Sequence, residues 1–251
     1  MPRTSIVVPL AAICAITMVL RCPVARAQWD PAFTANLGQG YGAIALSQSI
    51  LSGTRKLGDG AGTGANTAPS QRAPLPGEIL TFTSDARVSE RVRGSVMASL
   101  AQQNPALRPQ MEQAFAGDSV LRLFDRFMTA QAYSSHNVAE VMTVWLLVNW
   151  EIATAKAITP SQKEGALEQV RSVFLNTPRL RTMANAERQE LAERLAYQVV
   201  ISSLAKRQYL RSGDRAQLAG LRRTAVSILE QQGIDIARHQ LTDRGFRASS
   251  G

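Results

Sequence analysis

The chain has 251 residues, 45% of them hydrophobic, and carries 28 Lys or Arg against 19 Asp or Glu, a formal charge of +9. That is material for one good-sized core or two small domains. It holds no Lys/Arg block and no basic–aromatic repeat, so nucleic acid is not an indicated partner.

The first 27 residues read as an address. Met1-Pro2-Arg3 is a short positive start, Ile6 to Leu20 is an almost unbroken apolar run, and Ala25-Arg26-Ala27 is a small-x-small cleavage pattern that leaves Gln28 as the new N-terminus. As a helix the run spans about 22 Å, short of a bilayer core of ~30 Å. Residues 1–27 are therefore expected to be a signal peptide that carries the protein through the inner membrane, to the periplasm or outside. Arg21 stands where a lipid-anchoring site at Cys22 needs a small residue. Cleavage removes both cysteines, Cys14 and Cys22, so the mature chain has no disulfide, thiolate nucleophile or cysteine metal site. It also removes Arg3, Arg21 and Arg26 and no acid, which takes the charge from +9 to +6. The surplus is almost all arginine and implies at most a weak attraction to anionic surfaces.

Residues 28–51 form a mildly apolar arm with Trp29 and Phe33, broken by Gly38, Gly40 and Gly42. Residues 52–79, rich in Gly, Ala, Thr and Pro, are expected to be a flexible linker with too little apolar surface to offset ordering entropy. From residue 80 to 251 the pattern is helical. Ser84-Asp85 caps a helix through about Gln103, with Val88, Val92, Val96 and Leu100 on one face. A short helix follows from Pro105 to Phe115, and a third runs from about Val120 to Tyr133. Asn137 and Glu140 have capping-box spacing ahead of the most hydrophobic stretch after the signal, which carries Trp145 and Trp150 on different sides. Apolar on all faces, it reads as a core helix enclosed by others. Thr159-Pro160 starts the next helix, Asn185 is expected to cap a long one to about Leu210, and a final helix stops at Gly233. The tail reads as a packed extended segment. These elements predict an all-α, multi-helix bundle of about six to seven helices behind a flexible N-terminal segment.

The order of Asn137-Val138-Ala139 before the Trp-bearing helix, Leu175-Asn176-Thr177-Pro178, the Asn185 to Glu190 helix start, and the close from Gly233-Ile234-Asp235 to Gly245-Phe246 resembles a family of bacterial exported helical proteins of unknown function. The resemblance spans about residues 80 to 246. It implies the fold class and export, and no activity.

Few residues suggest chemistry. His136 and Glu140, four apart, are weak candidates for a metal site, which would need further ligands; a turn histidine beside a capping glutamate is the simpler reading. Glu140 and Glu151 lie three turns apart on nearly one helix face, at about 16 Å. That is beyond the ~5–9.5 Å of glycosidase carboxylate pairs, so Glu151 is a catalytic candidate only with an acid from another helix. No Gly-x-Ser-x-Gly elbow occurs, and no cofactor is indicated. The leading reading is a non-enzymatic binding domain whose partner is a protein or envelope component. An envelope hydrolase using carboxylate acid/base chemistry, or a basic peripheral membrane binder, is the alternative. When the full chain is expressed in an exporting bacterial host, mass spectrometry is expected to find a mature N-terminus at Gln28; retention of Met1–Ala27 would reject the signal assignment.

Overall fold

The computed structural model describes residues 79–103 and 115–249. The expected signal, arm and linker up to residue 78, and all but the last residue of the short helix expected over Pro105–Phe115, lie outside the described residues. Within them the all-α expectation holds. There are seven helices: α1 (Ala86–Gln103), α2 (Ser119–Ala130), α3 (Val138–Thr154), α4 (Pro160–Asn176), the single turn α5 (Pro178–Arg181), α6 (Asn185–Ser212) and α7 (Arg215–Gln231). One small antiparallel hairpin follows, β1 (His239–Thr242) with β2 (Gly245–Ala248), pairing Leu241 with Phe246.

The enclosed helix is α3. Asn137, in extended conformation, accepts the Ala139 and Glu140 amides at 3.0 and 3.3 Å and so satisfies two of the four donors that a helix start leaves open. The helix ends at Thr154, where Ala155 turns left-handed (φ 56°). Twelve of its 17 residues are buried, because α4, α6 and α7 all pack against it. Its two indoles anchor different neighbours. Trp145 Nε1 donates to Gln198 Oε1 on α6, and the Trp150 ring meets Phe246 of β2 edge-on at 5.5 Å. The buried polar groups turn inward on the helix itself: Asn149 Nδ2 donates to the Trp145 carbonyl and Thr143 Oγ1 to that of Ala139.

The flanking helices follow from local chemistry. Val88, Val92, Val96 and Leu100 form the buried face of α1. Thr159 and Gln162 exchange side-chain and backbone bonds (3.3 and 2.9 Å) ahead of Pro160, giving α4 the full capping box that the Asn137 turn lacks. At the end of α7, Gly233 (φ 76°) sits at C′; its amide reaches the Glu230 carbonyl and that of Ile234 reaches Leu229, the paired bonds of a Schellman turn.

Asn185 departs from its expected role. It is the first residue of α6, behind Ala184 as N-cap, whose amide donates to Glu187 Oε2. Its side chain is used across the fold: Oδ1 accepts the Thr83 amide at 2.8 Å and Nδ2 donates to the Thr83 carbonyl at 2.7 Å. One turn on, Gln189 does the same to Asp85, at 2.8 and 2.9 Å. Two primary amides thus act as an added strand for the segment leading into α1 and tie it to α6.

The tail is a hairpin rather than a single extended segment. Its turn lies on Gly165 of α4, where an added Cβ would stand 2.2 Å from the Asp243 carbonyl oxygen. The Gln169 side chain holds Phe246 by both its amide (2.8 Å) and its carbonyl (3.2 Å). Gly165→Ala is therefore expected to destabilise the protein by about 1–3 kcal/mol or more through overpacking against backbone. Thermal unfolding checks this; an unchanged Tm would show that the hairpin does not rest on α4.

Candidate functional site

The turn before α3 sends its two candidate ligands in different directions. Glu140 faces back into the turn and across to α4. Its Oε2 accepts the Ser134 amide at 2.6 Å, and its Oε1 accepts Asn137 Nδ2 at 3.2 Å and Arg171 Nη2 at 3.0 Å. His136 faces the segment before α1. Its ring lies 5.5 Å from that of Phe82, its carbonyl accepts the Phe82 amide, and its Nε2 is 3.0 Å from Ser84 Oγ. Ser134 bonds to both, its Oγ accepting the His136 amide and its amide donating to Glu140, but the His136 ring and the Glu140 carboxylate engage different groups. Among the described residues no group of three or more His, Cys, Asp or Glu side chains is placed to hold a metal ion. The second histidine, His239, has its Nδ1 3.0 Å from the Asp235 carbonyl.

Hydrogen-bond counting makes one nitrogen of the His136 ring a donor. Ser135 spends its single hydroxyl hydrogen on Asp125 Oδ1 at 2.5 Å, so it receives the bond from Nδ1, 3.2 Å away. Nδ1 therefore carries a proton, and Nε2 lies 3.0 Å from the Ser84 hydroxyl oxygen. This chain of bonds lines the mouth of a cavity of about 290 Å³ between α1, α2 and α6. Phe82, Phe124 and Leu121 form apolar walls, Asp118 and Arg122 pair with each other at the rim, and Glu193 of α6 lies within.

Glu193 has no counterpart in the expectations. The alternation of Glu and Arg along α6 suggests a solvated, ion-paired surface, and Glu190 fits that pattern through Arg194 at 2.9 Å and Arg91 at 3.6 Å. Glu193 does not: it is 7% exposed. Its Oε1 accepts Ser89 Oγ at 2.6 Å and Gln189 Nε2 at 2.8 Å, while its Oε2 is buried and has no partner. Burial raises its pKa above the usual carboxylate value, against the opposing pull of the Ser89 and Gln189 bonds and of His136. The legible signal was position. Glu193 follows Gln189 by one turn and precedes Ala196, on the stripe that meets α1 and α2, where a solvated acid has no place.

Glu151 occupies a different depression. Its carboxylate is 48% exposed and accepts Lys206 Nζ at 3.0 Å. It lies on the wall of an open groove of about 480 Å³ between α2, α3 and α6. Its described lining combines apolar side chains (Phe127, Val148, Ile152, Leu210) with cations (Lys206, Arg207, Arg211); Glu151 is the one acid among them. Leu210, 58% exposed, is the exposed large hydrophobic side chain among the described residues. None of the described helices is long and apolar enough to cross a membrane.

These features define a thiol-poor helical bundle organised around one enclosed helix. Over residues 13–249 the chain matches the model of a family of unknown function, DUF6683. It belongs to that family. No curated protein and no solved structure matches it.

The raised pKa of Glu193 makes a signed prediction. The folded state favours the protonated acid, so its contribution is most favourable below the unfolded carboxylate pKa of about 4.3. It declines as pH rises through the window up to the higher folded value, then levels off. Glu193→Gln removes this dependence. Denaturant midpoints measured from pH 4 to 8 are expected to show the variant gaining on the wild type as pH rises; a gap constant with pH would reject a buried acid at this position.

Proposed function

We propose that this is an exported, non-enzymatic binding domain whose groove between α2, α3 and α6 takes an acidic, amphipathic segment of a partner protein. The supporting observation is the pairing of apolar lining residues, including exposed Leu210, with the cations Lys206, Arg207 and Arg211 on one face of α6. Spacing of one turn between Arg207 and Arg211 matches acids repeated at i, i+4 on a helix laid in the groove. Hydrolysis is the weaker reading for this groove, since glycoside chemistry needs two convergent carboxylates and Glu151 is a single acid already engaged by Lys206.

A designed acidic amphipathic helix, labelled and titrated by fluorescence anisotropy, is expected to bind with an affinity that falls as salt rises. Leu210→Asp, and Arg207→Glu with Arg211→Glu, are each expected to weaken it by tenfold or more. Equal binding of a charge-reversed peptide would sink the proposal. So would co-sedimentation with anionic vesicles that these variants abolish while the peptide stays unbound, which would assign the groove to a lipid surface.

A further inference from the structure

The cavity beside His136 is chemically unlike the groove, and its composition specifies a ligand. Three carboxylates line it, Asp118, Asp125 and Glu193, and one guanidinium, Arg122, which is committed to Asp118. Asp125 is engaged by the Ser135 hydroxyl, and both nitrogens of His136 are engaged by serines. What stays uncompensated is Glu193, a carboxylate 7% exposed whose Oε2 receives no hydrogen bond. Leaving such an oxygen buried without a donor is costly, and a donor of positive charge offsets that cost best. An anion would meet the surplus of acids. A divalent metal would find no cluster of three ligating carboxylates or imidazoles among the described residues.

The remaining walls say what else the ligand carries. Phe82 and Phe124 are both buried aromatic side chains, suited to hydrocarbon and to the positive head of an organic cation. Ser84 Oγ, 3.0 Å from His136 Nε2, adds a hydroxyl to the lining. At about 290 Å³ the space is at the small end of ligand pockets. We propose that this cavity binds a small primary alkylammonium ion, its NH₃⁺ donating to Glu193 and its short chain lying against Phe82 and Phe124. The relay Asp125–Ser135–His136–Ser84 then serves as positioning structure that holds the imidazole ring in place beside the cavity.

The test is calorimetric titration of the full chain with n-butylammonium, with butyrate, magnesium ion and a short lysine peptide as separate arms. Saturable binding of butylammonium is expected, weakened at least tenfold by Glu193→Gln, which keeps the Ser89 and Gln189 contacts in shape while removing the charge. Leu121→Trp, filling the cavity from its partly exposed α2 wall, is expected to block binding with Glu193 intact, so a folding defect in one variant leaves the other informative. Circular dichroism monitors the fold of both. Absence of butylammonium binding, equal binding of butyrate, or an unchanged affinity in a folded Glu193→Gln variant would overturn the proposal. Preferential binding of magnesium would replace it with a metal site, and tighter binding of the lysine peptide would replace the small molecule with a partner's side chain. Leu210→Asp in the groove is expected to leave butylammonium binding unchanged, which separates this site from the other.

Discussion

The constraint from which the rest of the structure follows is that α3 has no polar face. A helix apolar around its whole circumference has to be surrounded, and three helices and a hairpin are arranged to do so: α4, α6 and α7 pack on it directly, and β2 brings Phe246 onto Trp150. The polar groups that remain inside are handled locally, Asn149 and Thr143 by bonding to the carbonyls one turn back. Trp145 is the exception that reaches outward, and its partner Gln198 registers α3 against α6.

α6 links that core to everything on its other side. Its 28 residues are long enough to contact α1, α2, α3 and α7, and three side chains spaced by four residues, Asn185, Gln189 and Glu193, perform successive tasks. The first two replace a missing strand neighbour for Thr83 and Asp85, supplying matched donor and acceptor at each. The third receives Gln189 and Ser89 and then runs out of donors. A bonding pattern that is complete at two steps and incomplete at the third distinguishes a structural clasp from a site. The same helix, further along, presents Lys206, Arg207 and Arg211 to the groove. The bundle thus has an acidic cavity and a basic groove along one long helix, which is why the net positive charge alone is a poor guide to what it binds.

Much of the fold was legible because its cues are local. The buried stripe of α1, the Asn137 cap, the Thr159-Pro160 start and the Gly233 stop each depend on residues within a few positions, and each is where the spacing placed it. Asn185 departs from its local cue for the same reason. Its sequence neighbourhood is that of an N-cap, but its partner Thr83 is 102 residues away. The hairpin escaped notice because each strand has only four residues, and its stability comes from Gln169 and the bare surface of Gly165 rather than from strand alternation. The candidate cavity was the least legible. Ser84 and His136 are 52 residues apart, Ser89 and Glu193 are 104 apart, and neither pair belongs to a motif.

By itself the sequence determined the helical class, the order of the longer described helices and which one had to lie at the centre, because periodicity and capping are properties of contiguous residues; it gave no sign of the single turn α5. Only the tertiary structure decided the fate of the acids. Glu140 became part of a turn, Glu151 the partner of Lys206, and Glu193 a buried carboxylate with one oxygen unmet. The three residues are chemically the same, and what separates them is the supply of donors and water around each, which is fixed only when distant helices meet.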